Sequence, residues 1–328
     1  MRGVFRNADQ TAANHSINMT ESLPSQDYMR LLPGGTAGML TRLEFLARAK
    51  KQGPISGRHT SPSKGFSVVF AEHRQYMPGD DLKNLDWRVF AKADKYYIKQ
   101  YIEETNLRAT VVVDCSGSMK YRGELASAVD GKKVSKFEYA QFLAAGLSYL
   151  MVKQQDAVGL VTFDDQIRSF IKAASRPSQV RLVLEALHQA QPGQDTKLGG
   201  VLHEVAERIP QRGLVVIISD CFDSAEDIVK AFHHFKFRNH EIVLFHLMAE
   251  EELTFPFTSS HEFKDLEGAT PRLEVDPRTV RSAYLERVGK HVAQIESACG
   301  QLNADYVPVS TKQPYHQALA DFLGRRRR

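Results

Sequence analysis

The sequence predicts an α/β protein with a doubly wound, mostly parallel sheet, preceded by a small β-rich subdomain. Three observations carry this expectation. Residues 109–113, Ala-Thr-Val-Val-Val, form a continuous apolar and β-branched run of the kind found in strands buried on both faces. A second such run, Val215-Val216-Ile217-Ile218, follows two helix-period segments. Beyond and between them, short apolar runs alternate with longer helical stretches, the pattern of parallel strands joined by crossover helices.

Taken in order, residues 1–37 begin rich in Asn, Ser, Thr and Gln and cannot bury enough apolar surface to offset ordering entropy, so disorder is expected there. A helix is expected over 38–51, with Met39, Leu40, Leu43, Phe45 and Leu46 as its stripe and Gly53-Pro54 as its stop. Strands are expected over 65–72 and 95–103, separated by the breaker Met77-Pro78-Gly79, so that 38–106 reads as a helix plus the β-rich subdomain. The α/β domain then spans 107–310. Its helices are expected at 136–153, 177–189, 198–208, 225–237 and 279–299. Its strands are expected at 109–113, 157–162, 167–172, 213–219, 241–247 and 304–309, the pair 157–162 and 167–172 forming a hairpin. Residues 311–328 complete the chain as a helix and a basic tail, Arg325 to Arg328.

The chain has 328 residues, 42% of them hydrophobic, enough for a sizeable core. Its 43 basic residues against 39 acidic ones are close to balanced, which gives no electrostatic footprint for nucleic acid outside the short Arg tail. Cys115, Cys221 and Cys299 fall in no metal-ligand spacing, and an odd count without a secretory signal points to a reducing, cytoplasmic setting. The apolar window 143–152 is too short to span a bilayer.

In a parallel sheet, ligands gather beyond the carboxyl ends of the strands, and two aspartates stand there. Asp114 follows the first buried run and Asp220 the second. Asp114 opens Asp114-Cys115-Ser116-Gly117-Ser118, a turn that projects one carboxylate and two hydroxyls. Such hard oxygen donors suit Mg²⁺ or Mn²⁺. Taken alone the turn reads better as a helix cap, because Asp and Ser satisfy free N–H groups at helix starts.

The Asp-x-Ser-x-Ser turn after a buried strand resembles the metal-ion-dependent adhesion site of von Willebrand factor A domains, a Rossmann-like fold. That resemblance implies a threonine ligand, best matched by Thr196, and a second aspartate, matched by Asp220, so the implied metal set is Asp114, Ser116, Ser118, Thr196 and Asp220. Upstream, Glu72-His73-Arg74-x-Tyr76-x-Pro78-Gly79-Asp80-Asp81 followed by Asp86-Trp87 resembles the bacterial domain-of-unknown-function family number fifty-eight, whose members join this segment to an A-type domain. The resemblance implies a non-enzymatic adaptor that binds an acidic partner residue through the metal and works with a MoxR-type AAA+ ATPase in chaperone-like remodelling. Many relatives begin with two membrane helices, which are not expected here.

Other readings stand beside these. Asp80, Asp81 and Asp86 suit turn chemistry better than a second acidic site, with Arg74 and Arg88 as candidate partners. Trp87 is expected as a packing anchor, and Cys115 and Cys221 as small buried thiols near one another. His233, His234 and His240 read as surface or packing residues. A metal-dependent hydrolase is the rival function, weakened because residue 116 is Ser where Asp-x-Asp phosphatases place an acid/base carboxylate. A nucleic-acid module using the Arg tail is the other rival.

Overall fold

The computed structural model describes residues 26–32, 67–77, 85–93, 95–104, 107–193, 197–210, 212–258, 261–263 and 273–325. The helix expected over 38–51, the Pro78-Gly79-Asp80-Asp81 turn, Thr196 and the last three arginines lie outside these residues.

In the N-terminal part, β1 (Ser67–Gln75) pairs antiparallel with β2 (Tyr97–Glu104). The short helix α1 (Trp87–Ala93) lies between them in the chain. Asp86 fastens this unit: its Oδ1 accepts the N–H groups of Arg88 (2.9 Å) and Val89 (3.3 Å), and its Oδ2 lies 2.8 Å from His73 Nε2. The structural role expected of Asp86 is therefore seen, with His73 in contact across the hairpin. Trp87 is a correction. It is 64% exposed: in the first turn of a two-turn helix it meets the edge of a surface aromatic group, Phe90 at 6.2 Å, which itself stacks on the half-exposed Tyr96 at 4.5 Å.

The α/β domain is built on β3 (Arg108–Asp114), β6 (Ala157–Phe163), β7 (Ile167–Ala174), β8 (Leu214–Ser219), β9 (Glu241–Met248) and β12 (Asp305–Ser310). A two-residue ribbon, β4 (Ala128–Val129) with β5 (Lys132–Lys133), precedes the first large helix, and β10 (His261–Phe263) pairs with β11 (Leu273–Val275). The six strands run in the order β12-β9-β8-β3-β6-β7. All neighbours are parallel except β6 and β7, which form the expected hairpin. The expected doubly wound, mostly parallel α/β fold class is thus realised.

Both faces of the sheet are covered, which is why β3 is buried along six of its seven residues. Alternation along the strand divides the core: Val111 and Val113 point to one layer and Val112 to the other. The first layer holds α2 (Lys136–Lys153), α3 (Ser178–Gln189) and α8 (Tyr315–Arg325), which bury Leu143, Leu147, Leu184 and Phe322. The second holds α4 (Leu198–Arg208), α5 (Ala225–Phe237) and α7 (Pro277–Gln301), with Leu202, Phe232, Phe235 and Ile295. The short helix α6 (Glu250–Thr254) follows β9.

Residues 26–32, expected within a disordered N-terminus, form a 3₁₀-helix (Gln26–Leu31) packed on α2 and α3. Leu31 is buried in the first core layer, with Tyr28 and Leu32 against it. The apolar residues in this otherwise polar segment are enough to dock one turn, because helices α2 and α3 present a ready groove. Cys115 and Cys221 are buried free thiols as expected, but they belong to opposite core layers.

Candidate metal centre

The rim at the carboxyl ends of β3 and β8 receives Asp114 and Asp220, both buried. The main chain turns sharply after Asp114, and its Oδ1 accepts the Ser116 N–H at 2.8 Å. Oδ2 accepts the hydroxyl of Ser219 at 2.6 Å from the neighbouring strand. Ser116 Oγ and Ser118 Oγ stand 3.0 Å apart, so the two hydroxyls converge beside the carboxylate. Capping is thus part of what Asp114 does, through the Ser116 N–H, although the short 3₁₀ turn Ser118–Lys120 itself has no side-chain cap.

Asp220 Oδ1 accepts the Phe222 N–H (3.3 Å), while Oδ2 receives the ammonium of Lys136 at 2.7 Å. Lys136 is wholly buried, and it also donates to Glu252 Oε1 at 2.6 Å. The faces of Tyr121 and Phe222 lie 5.9 and 4.8 Å from its Nζ. Burial disfavours the charged ammonium, but the Asp220 and Glu252 carboxylates outweigh it and hold the lysine above its ordinary range. Burial, followed by the Asp220 charge, pushes the Asp114 carboxyl up to about 7. Burial likewise raises Glu252 despite its lysine partner.

Thr196 lies outside the described residues, but the chain on both sides of it is anchored to this rim. Gly193 N–H donates to the Cys115 carbonyl (2.6 Å), and Gly199 N–H to Asp223 Oδ2 (3.2 Å). Asp164, at the end of β6, is occupied elsewhere: both its oxygens lie 2.7 Å from Arg168 Nε. Two histidines also reach the rim. His246 Nε2 lies 2.9 Å from the Asp220 carbonyl and His291 Nε2 lies 2.8 Å from that of Cys221. Burial pushes His246 down to about 4, so its ring is neutral at physiological pH.

Sequence reasoning missed Lys136, Ser219, Glu252 and His246. Lys136 did leave a signal. A cation in the first turn of a helix opposes the macrodipole, and here it follows the Ser135/Glu138 capping box, so its placement had to serve something other than helix stability. Ser219 is the one hydroxyl ending an apolar strand. Glu252 lies 116 residues from its lysine partner and carries no local signature.

Among the described residues, no group of three or more His, Cys, Asp or Glu side chains is placed to hold one ion. The donor set is instead a carboxylate with hydroxyls, as hard-cation sites allow. Charge is compatible with the fit: Asp220 and Glu252 are paired with the Lys136 ammonium, whereas the oxygens of Asp114 meet neutral donors, the Ser116 N–H and the Ser219 hydroxyl, so a cation beside it would favour its ionised form.

The family model described as protein of unknown function DUF58 matches residues 72–294, a span that includes the later part of the N-terminal hairpin and every residue of this rim. The chain belongs to that family. By sequence, uncharacterized proteins of Mycobacterium tuberculosis and Mycobacterium bovis are each 22% identical to this chain over 296 residues, covering 89% of this chain and 90% of theirs. Among solved structures, an aerotolerance-related membrane protein from Bacteroides fragilis is 19% identical, with 67% of this chain and 99% of that one covered and a TM-score of 0.43. The conserved hypothetical protein BatB from Bacteroides thetaiotaomicron is 17% identical over 67% of this chain and 98% of its own, with the same TM-score of 0.43. The SpRpn10 VWA domain is 16% identical, over 67% and 95%, with a TM-score of 0.38. None of these likenesses bears on activity. In this DUF58 chain no helix among the described residues is long and apolar enough to cross a membrane.

Proposed function

We propose that this DUF58 protein is a protein-interaction module that captures an acidic residue of its partner through a divalent cation, Mg²⁺ or Mn²⁺, held by Asp114, Ser116, Ser118, Thr196 and Asp220. The observation that carries the reading is the buried strand-end cluster, where the Asp114 carboxylate and the paired Ser116 and Ser118 hydroxyls gather on the rim that also holds Asp220. A cation held by few charges at a strand end keeps positive character and an exchangeable position for a partner carboxylate. The resemblance stated above implies a MoxR-type AAA+ ATPase as that partner, and the odd count of cysteines, free where described, supports a cytoplasmic setting.

An adaptor rather than a hydrolase is favoured by how the rim's basic groups are used. The Ser116 and Ser118 hydroxyls face each other, and the His246 and His291 rings are engaged by main-chain carbonyls. Lys136 is fixed between two carboxylates. No base among these is directed at a nucleophile.

The test is co-precipitation of a MoxR-type ATPase by the purified chain, alongside calorimetric titration with Mg²⁺ and Mn²⁺. Expected are one-site cation binding and capture that falls with EDTA and with Asp220→Ala. Capture indifferent to both treatments would reject the metal mechanism, and metal-dependent ester or peptide hydrolysis abolished by Asp114→Asn would reject the adaptor.

A further inference from the structure

Helix α6 begins with three consecutive glutamates, and each reaches a different segment. Glu250 Oε2 accepts the Ser310 hydroxyl at 2.9 Å, and its Oε1 lies 3.6 Å from Lys312 Nζ. Glu252 holds Lys136 and, through Oε2, the Ala249 N–H at 2.7 Å. Glu251 differs from both. It is 3% exposed, its Oε1 accepts the Leu125 N–H at 2.7 Å, and its Oε2 is buried with no hydrogen-bond partner. Among the described residues it has no cationic partner.

Two more orphaned oxygens belong to the same junction. Ser127 Oγ and Thr311 Oγ1 are both buried without a partner. The two residues are joined through their main chains, Ser127 N–H donating to the Thr311 carbonyl at 2.8 Å, and Ser127 lies two residues beyond the Leu125 that binds Glu251. Thr311 in turn donates its N–H to Met248, at the end of the strand that leads into α6. The loop can close over the carboxylate because residue 123 is glycine; a Cβ there would sit on the Glu251 carboxyl group.

A buried carboxylate with one donor and no counter-charge is unfavourable, and two unpartnered hydroxyls beside the same loop add to the unmet demand. All three groups offer oxygen and none offers positive charge. We infer that Glu251, Ser127 and Thr311 form a second cation site, for a hard ion of the Ca²⁺ type, seated beneath the loop 121–127. Ca²⁺ suits it better than a transition metal because it takes carboxylate, hydroxyl and carbonyl oxygens in flexible geometry. The site shares no side chain with the rim cluster, so it stands or falls independently of the adaptor reading. Its consequence is local: an ion there ties α6 to the loop that follows the Asp114-Ser116-Ser118 turn.

The experiment uses the full chain carrying Asp114→Ala, which silences the rim, and titrates it with millimolar CaCl₂ by calorimetry and thermal denaturation. One residual Ca²⁺ site and a Ca²⁺-dependent rise in Tm are expected. Adding Glu251→Gln, an isosteric change, should weaken that binding by at least about tenfold and abolish the rise, while increasing Tm in EDTA because an uncompensated charge is gone. Thr311→Val should weaken Ca²⁺ binding without abolishing it. Should Asp114→Ala not fold, the wild-type chain titrated in the same way should lose one equivalent of Ca²⁺ binding on Glu251→Gln, whatever the rim binds. No response of the Asp114→Ala protein to Ca²⁺, or a response that survives Glu251→Gln, would overturn the site and leave a trapped water as the occupant.

Discussion

Lys136 Nζ lies 2.7 Å from Asp220 Oδ2, both side chains almost wholly out of contact with solvent, although 84 residues separate them in the chain. This contact joins the start of α2 to the rim residue that follows β8. Its worth is best judged by what its loss leaves behind.

Lys136→Met should be strongly destabilising, by about 3–5 kcal/mol, because Asp220 and Glu252 would remain buried without their cation. Urea unfolding of the purified variant measures this. Adding Glu252→Leu to Lys136→Met should recover part of the loss, since one stranded carboxylate is removed; an unchanged midpoint in the single variant would show the pair to be energetically idle.

Asp114→Asn should stabilise the protein in EDTA, because one of two mutually repelling buried carboxylates becomes neutral. With millimolar Mg²⁺ present the order should reverse, the wild type gaining stability by mass action and the variant not. Thermal denaturation in the two buffers provides the comparison. A variant that still responds to Mg²⁺ like the wild type would remove Asp114 from the metal set.

His240 supplies a pH dependence away from the rim. Its ring is 2% exposed, its Nδ1 has no partner, and burial, with help from Arg238 and His234, lowers its pKa below the ordinary 6.5. The unfolded chain therefore takes up a proton as pH falls through the mid-sixes while the folded chain does not. Stability from this group is present above that range and is lost as pH falls below it. His240→Asn should flatten the slope of stability between pH 7 and pH 5, measured by chemical denaturation at each pH. An identical slope in both proteins would place the acid sensitivity elsewhere.

Leu31→Ala tests the docking of the N-terminal turn. Leu31 is 6% exposed within the first core layer, so truncation should cost about 2 kcal/mol, at the low end for a core leucine because a single terminal turn can readjust. Trp87→Ala is the contrasting case. At 64% exposure it should change stability by no more than about 0.5 kcal/mol, read from the same denaturation curves.

Much of the molecule was legible before folding was considered, and the legible parts share a cause. The buried runs ending at Asp114 and Asp220 announce strands because a sheet covered on both faces needs apolar residues at every position, a strictly local pattern. The helix expected over 136–153 is likewise seen as α2, and placing both aspartates on one rim needed only the parallel direction of β3 and β8. What tertiary structure alone decided are pairings across distance: Lys136 with Asp220 and Glu252, Ser219 with Asp114, and Glu251 beneath Gly123. The exposure of Trp87 and the docking of Leu31 belong with them. Chain chemistry marks which residues can be buried or charged, but which surfaces meet is set by how the layers pack around the sheet. A lysine that reads as an ordinary first-turn residue thus becomes the internal counter-ion of the rim, because folding brings two carboxylates to it in a place water does not reach.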